Sequence, residues 1–552
     1  MPRVFISNTK VQETEEADFT ISPSKGIEQL YEKAIDFTGN TAYVIDVHCT
    51  FKGAEKMQQQ GGVAIYRHLL KEFDGKQDKL KVVFYSPIPK EDLVKLKPEN
   101  YVLTLLPFVE CKYEGKEEFG AALQKAENEV CPQFNSASEN LLSGWVLANE
   151  KRIKKGEQPE KINTNGKKIL FIDDQQSEWK SVYNVVFENT AILFIKNSKG
   201  NEIQSQTAYR QKLKSDWNEF VKLVISQIEA DKPDLILSDL YIEENHEETK
   251  FFKTENDLDP ISGFKLIKAV VPKFPWIPYI MFTSSNKVWN FELFKNYGAW
   301  KWAVKNTATT TNSDDIKNQF LYFKDCILNC LDKQWCDINK LWKDWHTLKI
   351  NGSIADTDTI EIVDDCFIKL RKSFVDGKIG FSTIYKYYLN SVYATVVINV
   401  GGIFEKMSMH FRGNIPNYFG KQVFSTRNYF AHNTNYKEAV ITDAVISIGC
   451  LIHILTPGNN LLTTPLIPSF NLLHTRGDNL FYYAQLKKAI EDSKITICQV
   501  TKNYIDKAAA DLKESVYPDL LNSLKKKNNE ITKTIKSVNS EADFLKVIID
   551  NA

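Results

Sequence analysis

Arg427-Asn428-Tyr429-Phe430-Ala431-His432 sets a guanidinium and an imidazole at R-x4-H spacing. These two groups can cut RNA without a metal: the cation holds the scissile phosphate while the imidazole moves protons. On a regular helix five residues advance about 500°, which leaves the two side chains about 140° apart. They reach one groove through an irregular turn, or when a second protomer contributes its own copy across a two-fold axis. An arginine, an asparagine and a histidine within six residues also arise by chance, and then they are packing or surface residues.

A second set of chemistry-bearing residues stands at the ends of apolar runs. Lys168–Ile172 is followed by Asp173 and Asp174, Asp234–Ser238 by Asp239, and Tyr279–Phe282 by Thr283, while Lys305 ends the run from Trp302. With Ala191–Ile195 these runs predict five strands alternating with helices over residues 167–311, a doubly wound parallel sheet. Such sheets bind ligands at the carboxyl ends of their strands, where all five residues fall.

Residues 1–131 repeat the pattern more roughly, in apolar runs at Val4–Ser7, Ala42–Asp46, Gly62–Leu69 and Val82–Ser86. Asp46, Gly62 and Ser86 parallel Asp239, Gly263 and Thr283, which suggests a diverged duplicate. It lacks one strand-helix unit before Asp46, an acid pair and a strand-end lysine, so a scaffold is expected. Residues 132–166 read as a turn-rich linker with a helix possible over Asn140–Arg152, and the acidic stretch Glu243–Asp259 as a surface loop. From residue 312 helical periodicity dominates: a bundle over 312–460 holds the arginine-histidine motif between the apolar stretches Thr383–Met409 and Thr442–Ile454, and a helical extension covers 461–552. The fold class expected is α/β followed by all-α.

Residues 167–311 resemble the receiver domain of two-component response regulators. Asp173 and Asp174 stand where that family keeps its metal-holding acids, Asp239 where it keeps the phosphorylated aspartate, Thr283 where it keeps the switch hydroxyl and Lys305 where it keeps the phosphate-binding lysine. Pro260-Ile261-Ser262-Gly263 resembles the family's P-x-x-[D/S]-G turn, one residue short, and Asn306 replaces the proline that usually follows the lysine. The resemblance implies Mg2+ held by Asp173, Asp174 and Asp239, with a histidine kinase or a small phosphodonor as partner. An aspartate attacking phosphorus needs a hard cation to neutralise both partners.

Thr426–His432 in turn resembles the R-x4-6-H signature of the HEPN family, with Asn428 as the polar residue after the arginine. That implies a helical-bundle, metal-independent ribonuclease that dimerises through the bundle, with Arg427, Asn428 and His432 catalytic, RNA as partner, and roles in antiviral defence or as a toxin. The combined expectation is an endoribonuclease under receiver control. The alternatives are a non-catalytic phosphorelay output module that binds protein or nucleic acid, or the HEPN member of a two-gene toxin-antitoxin module.

Composition sets the outer bounds. With 70 basic and 70 acidic residues in 552 the chain has no global field to attract nucleic acid, so any RNA contact needs a local patch. No stretch approaches the ~20 apolar residues of a membrane span, and the start carries no signal-like run, so no membrane partner and a cytoplasmic location are expected. The nine cysteines form no secreted disulfide pattern, and the gaps among Cys326, Cys330, Cys336 and His346 fit no familiar zinc site.

Overall fold

The computed structural model describes residues 3–7, 19–21, 38–49, 61–73, 76–111, 116–129, 132–197, 199–203, 217–242, 261–284, 294–305, 312–376, 383–410, 427–428, 430–431 and 439–456. The chain forms two compact units. One comprises residues 1–273 and 277–331, and the other comprises 274–276 and 332–552.

The first unit holds two five-stranded parallel sheets. In the first, β1 (Arg3–Ile6), β2 (Phe19–Ile21), β3 (Ala42–Asp46), β4 (Lys81–Ser86) and β5 (Phe108–Glu110) run in the order β2-β1-β3-β4-β5. Helices α1 (Gly62–Glu72), α2 (Lys90–Leu96) and α3 (Lys116–Glu127) alternate with the later strands. Thus the run from Gly62 is a helix. The strand-helix unit expected to be missing before Asp46 has its strand: Phe19–Ile21 pairs with β1. Three residues carry too little alternation to announce a strand.

After α4 (Ser136–Ala148) and α5 (Glu150–Lys154) comes the second sheet, formed by β6 (Ile162–Ile172), β7 (Phe187–Phe194), β8 (Leu235–Ser238), β9 (Tyr279–Thr283) and β10 (Lys301–Val304). Its order, β10-β9-β8-β6-β7, is that of the first sheet read from the opposite edge. Helices α6 (Gln176–Val186), α7 (Trp217–Asp231), α8 (Ser262–Val270) and α9 (Ser313–Cys330) accompany it. Every residue of β8 and β9 is buried, which is why these strands are unbroken apolar runs rather than alternating ones.

Two assignments shift. Residues 132–166 form α4, α5 and the start of β6, not a plain connection: Trp145 is wholly buried, and its indole Nε1 donates to the Glu160 carbonyl at 2.8 Å. Helix α9, placed in the helical bundle by its periodicity, belongs to the α/β unit. It packs on α4 and β10, and Lys324 on α9 is paired with Glu160 at 2.7 Å. Gly144 permits the α4–α9 approach, since a Cβ there would lie 2.7 Å from Phe320 Cβ and 2.8 Å from the Ile316 carbonyl oxygen.

Gly62 and Gly263 open α1 and α8 at equivalent places, each pressed against the strand end that precedes it. A Cβ on Gly62 would fall 2.6 Å from the Asp46 carbonyl oxygen, and one on Gly263 would fall 2.5 Å from that of Asp239. Both glycines donate a backbone N–H to the residue after the aspartate, Val47 and Leu240 respectively. Gly263→Ala should therefore destabilise the chain by about 1–3 kcal/mol, because the methyl must push backbone aside. Urea denaturation checks this, and an unchanged midpoint would contradict it.

The second unit is helical: α10 (Lys333–Ile350), α11 (Thr357–Asp376), α12 (Thr383–His410) and α13 (Ile441–Leu455). Helix α13 packs on α12 and α10, and α11 packs on α12. Trp342 stacks on Phe367 with ring centroids 5.3 Å apart, and the buried Trp345 donates its indole N–H to Asp364 at 2.8 Å. Three residues from between α8 and β9, Phe274–Trp276, belong to this unit, with Trp276 against His346 at 5.0 Å. Among the described residues no helix is long and apolar enough to cross a membrane. Residues 461–552, read as a helical extension, lie outside the described residues, as does the 243–259 segment.

Candidate functional site

The second sheet gathers its five strand-end residues into one buried cluster. Asp173 and Asp174 follow β6, Asp239 follows β8, Thr283 closes β9 and Lys305 follows β10. All five are buried. The Lys305 Nζ lies 2.6 Å from Asp173 Oδ2 and 2.6 Å from Asp239 Oδ2. Its backbone N–H donates to the Thr283 carbonyl at 2.8 Å, which fixes the lysine beside the threonine. Carboxylate oxygens of Asp173, Asp174 and Asp239 lie within 4.8 Å of one another.

Lys305 thus brings one positive charge to three carboxylates in a site shielded from water. Like charges this close cannot all stay ionised unless further positive charge arrives. Burial is the main reason that Asp239 is raised to about 7; Lys305 pulls it down, and Asp173 pushes it up. Burial disfavours the Lys305 ammonium, but Asp173 and Asp239 outweigh that and raise its pKa. All-oxygen donors with unbalanced negative charge suit a hard divalent cation, so these residues fit Mg2+.

The surroundings add residues that sequence reasoning missed. Lys305 Nζ lies 5.7 Å from the Trp179 ring centroid and 5.6 Å from that of Phe282, so two aromatic faces hold the ammonium in place. Glu178, buried on the first turn of α6, is pushed up to about 7 by burial, with Asp173 and Asp174 adding to the shift. Gln175 donates its backbone N–H to Asp173 Oδ1 at 2.7 Å. The sequence signal was present: a run of polar and aromatic residues follows the acid pair directly.

A pH dependence follows. Folding raises the Asp239 and Glu178 carboxyls above the ordinary value near 4, so each adds stability only while protonated. That contribution is whole below about 4 and is lost as pH rises through about 7. The thermal midpoint in EDTA should therefore fall between pH 5 and 8. With Mg2+ the fall should be shallower, because the cation binds the ionised form. A midpoint that rises across that range in EDTA would contradict the charge arrangement.

The first sheet keeps the frame of this site, and the Asp46 carboxylate, without the acid pair or the lysine. By backbone pairing, Cys111 stands where Lys305 does, since its N–H donates to the Ser86 carbonyl at 2.9 Å; Ser7 stands where Asp173 does. Asp46 accepts from Ser7 Oγ at 3.0 Å and from the His48 backbone N–H at 2.8 Å. Ser86 Oγ meets His48 Nε2 at 2.9 Å and accepts from the Ile88 N–H. The hydroxyl and carboxylate are engaged from within.

In the helical unit, Arg427 and Asn428 lie on a short helical segment against α12. Arg427 Nη2 pairs with Glu405 Oε2 at 3.0 Å, and Nη1 donates to Asn428 Oδ1 at 2.8 Å. The arginine stem lies over Gly401, where a Cβ would sit 2.5 Å from Arg427 Cβ. Gly401 is what lets the arginine stem pack this close to α12. His432 lies outside the described residues. Cys326 and Cys330 are buried in α9, and the Cys326 thiol meets the Trp302 carbonyl at 3.6 Å. No protein-family model matches this chain, and no curated relative is found for it.

Proposed function

We propose that the second sheet is a receiver-type phosphoacceptor that controls the helical unit. What carries this reading is the convergence of Asp173, Asp174, Asp239, Thr283 and Lys305 at the carboxyl ends of one parallel sheet. Asp173, Asp174 and Asp239 would hold Mg2+, which when bound lowers the negative charge met by an incoming phosphoryl group. Asp239 is the nucleophile: its carboxylate attacks phosphorus and expels the donor's leaving group. Lys305, now shared between two carboxylates, turns to pair with the transferred phosphoryl, and the Thr283 hydroxyl hydrogen-bonds it. The first sheet, with Ser7 and Cys111 at the corresponding places, serves as scaffold. The partner is a histidine kinase or a small phosphodonor.

For the helical unit the reading is a HEPN-type, metal-independent endoribonuclease acting as a homodimer, in a toxin or antiviral-defence setting. The observation in favour is that Arg427 and Asn428 are hydrogen-bonded to each other on a helical segment, the polar pair that would hold and orient phosphate. His432 moves the protons. Purified protein in EDTA should cut mixed RNA to 2′,3′-cyclic phosphate ends and leave DNA intact, and His432→Ala should lower the rate by about 100-fold or more. Cleavage unchanged in His432→Ala and Arg427→Ala would overturn the nuclease and leave a non-catalytic output module. A nucleotidyltransferase encoded beside this chain would favour the two-gene toxin-antitoxin arrangement.

A further inference from the structure

We propose that α4 relays the state of the acidic pocket to the first sheet, with Asn135 and Gln175 as the joint. This inference rests on the phosphoacceptor reading of the pocket. The chain of contacts is continuous. Asp173 Oδ1 accepts from the Gln175 backbone N–H at 2.7 Å, and Gln175 Oε1 accepts from Asn135 Nδ2 at 2.7 Å. Asn135 is the N-cap of α4: its Oδ1 accepts from the Ser138 N–H at 2.7 Å, and its own N–H donates to Ser138 Oγ at 3.0 Å. One asparagine therefore starts the helix with its carbonyl oxygen and grips the acid-pair loop with its amide nitrogen.

One turn on, α4 is bound to the first sheet's α1. Arg67 Nε donates to Glu139 Oε1 at 2.7 Å and Arg67 Nη2 to Ser143 Oγ at 2.8 Å, and Ser143 Oγ donates to the same Glu139 oxygen at 3.1 Å. Glu139 is only 2% exposed, so the pair is held in a low-dielectric setting where losing one partner is costly. Helix α1 in turn starts at Gly62, against Asp46. On its other side α4 meets the lysine end of the pocket: Asn140 and Leu141 line a small gap of about 10 Å3 together with Phe282, Lys305 and Phe320. Helix α4 thus faces both poles of the ion cluster, Asp173 by way of Asn135 and Gln175, and Lys305 across this gap.

When Lys305 leaves Asp173 to pair with an incoming anion, the charge that Gln175 reads and the wall that Leu141 packs on both change. A helix fixed at its cap and by a buried ion pair passes such a change on as a rigid body. Asn135 and Gln175 are positioning residues here; neither touches the phosphoryl group.

The test uses the full chain with Mg2+ and fluoroberyllate as the phosphoryl stand-in. Calorimetry reads binding, and hydrogen exchange reads residues 136–148 and 62–72, with α11 as the reference. In wild type, binding should change exchange in both segments by about tenfold, the range of an ordinary coupling. Asn135→Ser keeps the helix cap, since serine caps about as well as asparagine does, but is too short to reach Gln175 and brings no charge. This variant should bind fluoroberyllate within about twofold of wild type and lose the exchange response, with an unfolding midpoint showing that it is folded. Gln175→Ala should do the same from the other side of the joint. Wild-type binding with unchanged exchange in both segments, or a full response in both variants, would overturn the relay alone. Absence of binding by wild type would overturn the phosphoacceptor reading and the relay with it.

Discussion

Lys305→Met should lower the stability of the chain by about 3–5 kcal/mol in EDTA at pH 8, because it strips a buried ion cluster of the ammonium that bridges it. Methionine has nearly the lysine's length and can lie between Trp179 and Phe282, so the loss reads charge rather than packing. What remains is three buried carboxylates facing one another. Mg2+ should restore much of the loss, since a divalent cation in the same place neutralises them better than one ammonium does. Urea denaturation with and without Mg2+ measures both numbers. A loss under about 1 kcal/mol, the range of an exposed ion pair, would show that the cluster is wet and weakly coupled.

Asp239→Asn should do the opposite to stability while abolishing phosphoryl transfer. The wild-type carboxyl is raised to about 7 by burial, so at pH 8 its ionised form costs stability that a neutral amide does not. Lys305 keeps Asp173 as its partner. The unfolding midpoint in EDTA should rise by about 2–4 °C, which corresponds to about 1 kcal/mol in a unit of this size. Labelling from a small phosphodonor should drop to background. A variant that labels as wild type does would move the nucleophile elsewhere, whatever its stability.

These two outcomes depend on a site whose residues were legible in the sequence. Ile169–Ile172, Leu235–Ser238 and Tyr279–Phe282 are buried in consecutive positions, so their apolar runs mark central parallel strands, and the first polar residue after each run must lie at the carboxyl edge. That logic placed Asp173, Asp239 and Thr283 together. Lys305 follows β10, where burial alternates, as the polar residue that ends the short run from Trp302. The frame shared by the two sheets was legible through Gly62 and Gly263, because only a residue without a Cβ lets a helix start that close to the preceding strand end.

Partners were less legible than elements. The periodicity of α9 shows that one face is buried but not against what, and it packs on α4 and β10. The helix read over Asn140–Arg152 starts earlier, at Ser136, because its capping box, Asn135 with Ser138, lacks the acidic residue that usually advertises one. The Asn135–Gln175 bond spans 40 residues, a distance over which local pattern carries no information. For the arginine-histidine motif, the spacing named the groups, while Glu405, which pairs with Arg427, comes from another helix and could not be read beforehand.

Whether Asp239 takes up a phosphoryl group in a divalent-cation pocket is decided by the intact mass of the wild-type chain. After incubation with a small phosphodonor and Mg2+, the chain should gain one phosphoryl group, labile to hydroxylamine, mapped to Asp239 and absent in EDTA. A chain that gains no mass under these conditions, or gains it at another residue or without a divalent cation, would contradict it.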